Sequence, residues 1–411
     1  MGNAPAIARV VEIIRLARCE SETVVVVSAM SGVTNQLIEA ASQAATAKQD
    51  RAAAASIADI FENLRQQHHG AIESLIRSRA RRSRVAGEID RLLSEGEALC
   101  RSTMQRGEVT PAQRDAISSL GERLSAPLLA TALVDSGVAS ESLSATELIQ
   151  TDGCHGAAEP ETEATRRKCE AVLRPLLQRG VIPVVTGFIG TTAEGALTTL
   201  GRGGSDYSAT ILAAAVAADE VTIWTDVDGM MTADPRLVPE AATISEISYQ
   251  EAAEMAHFGA NVLHPKTLEP VTECGIPLWI RNTFAPEREG TRITPTGAAS
   301  PAGVKGITAL YLDADVSILS LVGSQLGTTD IVAALLDVLE AERVRVIGVQ
   351  QASEERISFV ITQSDLGRAL ASLHRELRLG EAEARAFPAE SVGSDGGFWE
   401  QDSEPRSANA D

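Results

Sequence analysis

Residues 199–208 read TLGRGGSDYS and stand between a short predicted strand over 196–200 and an alanine-rich helix predicted over 208–217. The three glycines let backbone N–H groups approach an anion, and the N-terminus of the following helix adds favourable partial charge. Arg202 supplies a planar fork that suits a carboxylate or a phosphate. The stretch lacks the GxxxxGK[ST] spacing, which excludes a P-loop. It could equally be a tight turn with Asp206 near the helix cap, so both interpretations stay open at this point.

Strands and helices alternate on both sides of this stretch. A helical pattern over 4–17 precedes a buried strand over 23–27, and residues 35–106 predict two or three amphipathic helices. Further helices are predicted over 121–135, 165–179, 248–256 and 266–274, and further strands over 181–186, 221–224 and 277–281. This order is typical of an α/β fold with helices on both faces of a sheet.

The order of predicted strands and helices changes after residues 294–303, a Gly/Pro/Thr/Ala-rich stretch that we interpret as a linker. Predicted strands over 316–322, 344–349 and 356–361 and helices over 329–341 and 365–377 form a ferredoxin-like β-α-β-β-α order. Residues 380–411 hold eight acidic residues against two arginines, a balance of −6, and we expect no fixed structure there. We therefore expect domains over 1–295 and 306–378 and a disordered acidic tail over 380–411.

Composition excludes several classes of protein. The 411 residues carry a net charge of −20 without clustered Lys and Arg, which argues against a nucleic-acid surface. No apolar run approaches the ~18 residues that span a bilayer, and the first residues lack a signal core. The five cysteines form no CxxC pair, which suits reduced thiols. We expect a soluble, cytoplasmic protein that binds neither nucleic acid nor membrane.

Two other polar segments follow predicted strands. Residues 28–35 read SAMSGVTN, whose hydroxyls and amides could contact a polar substrate or cap a helix. Residues 223–236 read IWTDVDGMMTADPR, with three carboxylates and an arginine that could hold a ribose or a metal-bound phosphate. Asp-Gly and Asp-Pro are also ordinary turn pairs. His264 and His257 are predicted to be packing or capping residues. Glu251 and Glu254 are predicted to lie on the solvated face or in the N-terminal turn of a helix. Cys154 and His155 have no further metal ligands near them in the sequence, which argues against a zinc site.

Together these segments resemble the aspartate kinases of the amino acid kinase family. The matching motifs, in chain order, are VSAMSGVTN (27–35), SLGERLS (119–125), TGFIG (186–190), TLGRGGSDYSA (199–209), WTDVDG (224–229), TADPR (232–236) and SYQEAAEMAHFGANVLHPKTL (248–268). The resemblance extends over about residues 2–378.

The resemblance implies a three-layer amino acid kinase sandwich that transfers the γ-phosphoryl group of Mg-ATP to the side-chain carboxylate of L-aspartate, the first step of lysine, threonine and methionine synthesis. An ionised carboxylate needs no general base, so the site must mainly align two anions and neutralise their repulsion. By similarity Arg202 clamps the α-carboxylate and Glu122 meets the amino group. The other implied substrate contacts are Ser28, Thr34, Gly203 and Ser205; Asp206 and Arg202 are the implied catalytic residues; Thr225, Asp226, Met231, Arg236 and Asn261 are the implied nucleotide contacts. No protein metal ligand is implied.

The sequence departs from the family at three places. Aspartate kinases open with K-F-G-G-T-S-V, whose lysine sits against the transferring phosphate, whereas this chain opens just after that motif. We hypothesise that the natural protein starts upstream, and we expect little kinase activity from the 411-residue form. Asn261 stands where relatives commonly carry a lysine, and Met231 where they often carry a tyrosine. The alternatives are a catalytically silent amino-acid sensor and a kinase for another carboxylate such as glutamate.

Residues 306–377 resemble an ACT domain, the amino-acid-sensing module of this family. The resemblance implies a lysine or threonine effector and a homo-oligomer, with effectors and partner subunits meeting at the turn over 323–330. A plain dimerisation layer is the alternative. The sequence leaves open which amino acid inhibits.

Overall fold

A computed structural model describes residues 1–46, 51–260, 262–298, 303–313, 315–324, 326 and 329–380. Asn261 and the acidic tail from residue 381 onward lie outside the described residues, as does part of the turn over 323–330. Within the described ranges, no helix combines the length and the apolar character needed to cross a membrane.

The first third of the chain is mainly helical and contains two short strands, β1 and β2, which both pair with the later strand β3. Its elements are α1 (Ala4–Ala17), β1 (Val25–Val27), α2 (Val33–Thr46), α3 (Arg51–Leu75), α4 (Arg79–Arg106), α5 (Pro111–Ser118), α6 (Leu120–Asp135) and β2 (Ser140–Leu143). The predicted amphipathic helices over 35–106 are confirmed as α2, α3 and α4. Helix α4 ends at Gly107 in the left-handed conformation, as glycine favours at a helix end. The leucines of α6 are buried, and the first core forms around them.

Two sheets follow along the chain. The elements are α7 (Thr162–Gln178), β3 (Ile182–Thr186), β4 (Ile189–Thr191), β5 (Leu197–Thr199), α8 (Gly204–Val216), β6 (Val221–Thr225), β7 (Glu246–Ser248), α9 (Tyr249–His257), α10 (Glu269–Cys274), β8 (Leu278–Asn282) and β9 (Thr291–Thr294). The first sheet has the order β1-β3-β2 with parallel pairs, and the second has the order β6-β8-β9-β7. Strands β4 and β5 form a hairpin between them.

The predicted start of the alanine-rich helix at residue 208 is wrong, because α8 begins at Gly204. Gly203 caps it with φ +71°, a left-handed conformation that glycine adopts without strain. Ser208 lies inside the helix and donates its hydroxyl to the Gly204 carbonyl at 2.8 Å. Ser205 and Asp206 therefore belong to the first helical turn, where backbone N–H groups lack intrahelical partners.

The C-terminal layer contains one strand more than predicted. Its elements are β10 (Val304–Asp313), β11 (Val316–Gly323), α11 (Thr329–Ala341), β12 (Val346–Ser353), β13 (Arg356–Thr362) and α12 (Leu366–Glu376). The sheet order is β10-β11-β13-β12, with antiparallel neighbours. Strand β10 follows the glycine-rich linker directly, which hid its pattern in the sequence. The chain is thus an α/β sandwich followed by a ferredoxin-like layer, whereas the domain boundaries stay predictions.

Candidate active site

A cavity of about 790 Å³ lies where β1, β5 and β6 end. Loops that follow the carboxyl ends of strands are the usual place for ligands in α/β folds. Nine of the twelve predicted site residues line it, namely Ser28, Thr34, Glu122, Arg202, Gly203, Ser205, Asp206, Thr225 and Asp226. The structure therefore brings together segments that are nearly 200 residues apart in the sequence.

The glycine-rich loop is shaped by close approaches that admit no side chain. A Cβ at Gly203 would lie 2.6 Å from Cβ of His264, and one at Gly204 would lie 2.6 Å from the ring of Phe188. His264 caps the short 3-10 helix Pro265–Leu268 by accepting from Lys266 N at 3.3 Å, which confirms its predicted capping role. The loop thus presents the N-terminus of α8 to the cavity.

Arg202 is exposed in the wall of the cavity. Among the residues that the structure describes, no carboxylate forms an ion pair with Arg202. Its guanidinium is therefore available to a carboxylate or phosphate from outside the chain.

Glu122 is buried in the first turn of α6. Its Oε1 accepts from Ala29 N at 3.1 Å and from Ser205 Oγ at 3.4 Å, while its Oε2 has no hydrogen-bond partner in the described structure. Gly121 allows this approach, since a Cβ there would lie 2.6 Å from Cβ of Ala29. Burial raises the pKa of the Glu122 carboxyl to about 7. A buried, half-satisfied carboxylate is a costly arrangement that a cationic ligand would relieve.

Asp206 also lines the cavity, from the first turn of α8. Burial raises the pKa of its carboxyl to about 6. None of the hydrogen bonds or ion pairs among the described residues involves its carboxylate. Three or more His, Cys, Asp or Glu side chains with metal-binding proximity do not occur in the described part of the chain.

The end of β6 and the residue that follows it also contribute to the cavity. Thr225 Oγ1 donates to Asp226 Oδ1 at 3.2 Å, and both residues line the cavity. Met231 and Arg236 do not line it: Thr243 Oγ1 lies 3.6 Å from Met231 Sδ, and Arg236 forms an ion pair with Asp234 at 2.6 Å. The structure thus brings only part of the predicted nucleotide contacts to the cavity, and Asn261 is not among the described residues.

Phe188 and Asp115 are among the lining residues that sequence reasoning did not assign to the site. Phe188 has φ +70°, which is strained for an aromatic residue, and its N–H donates to Ser208 Oγ at 2.9 Å. Such strain persists only where surrounding contacts enforce it, and it clusters at functional sites. Phe188 lies in the TGFIG motif (186–190), which could have pointed to it, whereas no motif or periodicity marks Asp115, because its contacts are distant in the sequence.

Comparisons with known proteins agree with this geometry. The sequence model of the amino acid kinase family matches residues 1–282, and that of the ACT domain matches residues 319–377. Lysine-sensitive aspartokinase 3 of Escherichia coli is 37% identical over 270 residues, which are 66% of this chain and 57% of that protein. Bifunctional aspartokinase/homoserine dehydrogenase 2 of Zea mays is 32% identical over 399 residues, which are 95% of this chain and 42% of that protein. The chain thus spans roughly half the length of these relatives.

A solved structure of E. coli aspartokinase III in complex with aspartate and ADP superposes with a TM-score of 0.77 at 25% identity, covering 91% of this chain and 96% of that one. A second structure of that protein, in complex with lysine and aspartate, gives a TM-score of 0.66 at 30% identity over 88% and 76% of the two chains.

Proposed function

Since the chain belongs to the amino acid kinase family, we propose that its cavity binds L-aspartate beside ATP and that the protein is an aspartate kinase. The observation that carries this proposal is one cavity that contains the exposed Arg202 and a buried oxygen of Glu122, both without a partner among the described residues. These two groups match the α-carboxylate and the α-ammonium of a free amino acid. E. coli aspartokinase III, which the chain resembles in fold, has been solved with aspartate and ADP.

In this proposal the α-amino acid end of the substrate is held by Arg202 and Glu122, with Ser28 and Thr34 nearby. The side-chain carboxylate then faces the N-terminus of α8, where the backbone of Gly203 and Ser205 offers N–H groups. Thr225 and Asp226, which line the cavity, form the nucleotide side in this proposal, whereas Met231, Arg236 and Asn261 stay contacts that only the resemblance implies. The protein's contribution is alignment of two anions, because the substrate carboxylate is already the nucleophile.

Asp206 suits a magnesium ion that arrives with the nucleotide. Mg²⁺ is usually held by one or two carboxylates together with substrate phosphates, and the Asp206 carboxylate lines the cavity without an ion-pair partner among the described residues. When bound, Mg²⁺ neutralises charge on the transferring phosphoryl group. Asp206 would hold the magnesium ion in a fixed position relative to Arg202.

We further propose that the ferredoxin-like layer binds an amino-acid effector, lysine or threonine, and that the protein is a cytoplasmic homo-oligomer with the domain boundaries predicted above. The ACT-domain match over residues 319–377 supports the first point. The solved complex of E. coli aspartokinase III with lysine and aspartate supports it as well.

The activity is tested by a coupled assay of ATP consumption with L-aspartate, run on this chain and on a form extended upstream. Turnover that needs L-aspartate and is not supported by L-glutamate supports the proposal, and inhibition by lysine or threonine identifies the effector. Binding of L-aspartate without turnover by either form would favour the silent amino-acid sensor instead.

Arg202→Ala is expected to weaken L-aspartate binding about 10- to 100-fold, because a hydrogen-bonded charge pair contributes about 1.5–3 kcal/mol. Arg202→Lys should bind L-aspartate with an affinity between those of the wild type and Arg202→Ala, since lysine keeps the positive charge but lacks the two-pronged guanidinium. Isothermal titration calorimetry measures both. The matched control is Arg166→Ala on α7, whose guanidinium pairs with Glu163 at 3.0 Å on the surface. Unchanged affinity in Arg202→Ala would remove Arg202 from the site.

A further inference from the structure

Asp115 is a buried carboxylate that lies outside the sequence motifs shared with the aspartate kinases. It lies on α5, a short helix that starts with a capping box: Thr110 Oγ1 accepts from Gln113 N at 3.2 Å, and Gln113 Oε1 accepts from Thr110 N at 3.1 Å. The capping box fixes the start of α5 and thereby the position of Asp115. Only 2% of Asp115 is exposed, and it borders the cavity.

Asp115 joins two loops to α5 through four hydrogen bonds. Its Oδ1 accepts from Thr199 Oγ1 at 2.7 Å, and its Oδ2 accepts from Thr199 N and Gly156 N, both at 3.2 Å. His155 Nδ1 lies 2.7 Å from the same Oδ2, so with its proton on Nδ1 the imidazole donates as well. Such a set of donors is what a carboxylate needs when it is removed from water.

Both loops converge on the residue before Arg202. Thr199 ends β5, two residues ahead of Gly201. A Cβ at Gly201 would lie 2.9 Å from the Gly156 carbonyl oxygen, so the loop that carries Gly156 packs directly on the turn that precedes Arg202. Gly201 has φ +82°, a left-handed conformation that glycine adopts without strain. Because glycine can adopt many backbone conformations, the contacts of the neighbouring residues must fix the path of the chain at this point.

We propose that Asp115 is a positioning residue for the substrate, one that holds β5 and the loop of Gly156 so that Arg202 enters the cavity in a single orientation. The inference rests on the proposed binding of L-aspartate. Both oxygens of Asp115 already accept hydrogen bonds from the two loops, through Thr199, Gly156 and His155, so in this proposal Asp115 holds the loops rather than the ligand. It acts through Arg202, and a loosened loop would cost substrate affinity because an imprecise clamp must be ordered on binding.

The test uses Asp115→Asn, with the milder Thr199→Val, which removes the 2.7 Å hydroxyl bond and keeps the backbone N–H. The matched control is Asp135→Asn. The side chain of Asp135 is also only 6% exposed, accepts from the backbone N–H groups of Arg77 at 2.7 Å and Ser78 at 3.3 Å, and pairs with Arg81 at 2.9 Å. It does not line the cavity. Both sites lose comparable hydrogen bonds, so a general loss of stability affects both.

Two measurements separate positioning from mere stability. Calorimetry should show L-aspartate affinity at least tenfold weaker in Asp115→Asn and less reduced in Thr199→Val, with Mg-ADP affinity within threefold of the wild type. Hydrogen exchange should accelerate at residues 156 and 199–205 in both variants, and only near residues 77–81 in Asp135→Asn. Equal losses for both ligands, or unchanged exchange at 199–205, would overturn the proposal.

The hydrogen-exchange measurement does not depend on the ligand. If the wild-type chain bound no L-aspartate, the proposed function would fail, whereas acceleration confined to 156 and 199–205 would still support the role of Asp115 in holding the loop. If Asp115→Asn failed to fold, Thr199→Val would decide by the same two readouts.

Discussion

Glu122→Gln is expected to abolish measurable L-aspartate binding, with affinity at least 100-fold weaker, and at the same time to make the protein more stable above neutral pH. The loss follows because the buried Oε2 of Glu122, which has no partner among the described residues, is the proposed acceptor for the substrate ammonium. The gain follows because glutamine removes the cost of ionising a buried carboxyl whose pKa is raised from 4.5 to about 7. That shift corresponds to about 3 kcal/mol at 1.36 kcal/mol for each pKa unit.

The difference in the pKa of Glu122 between the folded and the unfolded chain determines how the stability gain of Glu122→Gln changes with pH. Above pH 4.5 the unfolded chain ionises Glu122, whereas the folded chain retains the proton up to about pH 7. The contribution of Glu122 to stability is therefore complete below pH 4.5, falls as the pH rises to 7, and stays level above it. The advantage of glutamine should grow from about 1 kcal/mol at pH 5.5 to about 3 kcal/mol at pH 8.

Urea unfolding of the wild type and Glu122→Gln at the two pH values measures this advantage. The control is Glu88→Gln, a substitution of an exposed glutamate on α4, which should change neither stability nor affinity appreciably. A variant that is less stable than the wild type at pH 8 would show that Glu122 is stabilised by partners rather than strained by burial.

The second large effect is expected at the contact between α9 and the ferredoxin-like layer. Arg356 begins β13 with a side chain only 8% exposed, and its Nε lies 2.9 Å from Oε2 of Glu254 on α9. Its guanidinium carbon lies 3.7 Å from the ring centre of Phe258, and Nη1 donates to Ser358 Oγ at 2.7 Å. Ser353 Oγ donates to the other oxygen of Glu254 at 3.2 Å.

Glu254→Ala should destabilise the protein by about 3–5 kcal/mol, because it leaves a buried guanidinium without its counter-ion. The double variant Glu254→Met/Arg356→Met should be closer to the wild type, since apolar side chains of similar size remove both charges. Chemical unfolding measures both. The control is Glu163→Ala, which breaks an exposed ion pair with Arg166 and should cost less than about 1 kcal/mol. A loss of similar size in Glu254→Ala and in the control would mean that the buried pair adds nothing to the contact.

This contact shows where sequence reasoning reaches its limit. Glu251 and Glu254 are both predicted to lie on the solvated face or in the N-terminal turn of a helix. For Glu254 this misses the pair with Arg356, because that partner is about 100 residues away in the sequence. Glu251, by contrast, is predicted correctly in the N-terminal turn of α9, where it completes a capping box with Ser248. Local chemistry can be predicted from local sequence, whereas a pairing across domains cannot.

The same distinction applies to the fold and the cavity. The helices over 35–106 and the alternation of strands and helices follow from periodicity, and the motifs identify nine of the residues that line the cavity. The predicted start of α8 lies too late in the chain, because the left-handed Gly203 permits the helix to begin before the alanine run. Strand β10 pairs with β11, the next strand in the chain, so this hairpin was within reach of the local sequence and was missed beside the linker. The hydrogen bonds of Asp115, by contrast, join residues that are distant in the chain, and no local pattern marks them.

The most direct test of the proposed substrate site is calorimetric titration with L-aspartate between pH 6 and pH 8, in phosphate and in Tris, two buffers that differ in ionisation enthalpy. The ammonium of the substrate favours the ionised form of Glu122, whose pKa is about 7, so binding should release a proton. Affinity should rise about tenfold from pH 6 to pH 8, as the ionised fraction of such a group increases from about one tenth to nine tenths. Affinity that is independent of pH with identical heats in the two buffers, or no binding at all, would contradict an amino-acid site built on Glu122 and Arg202.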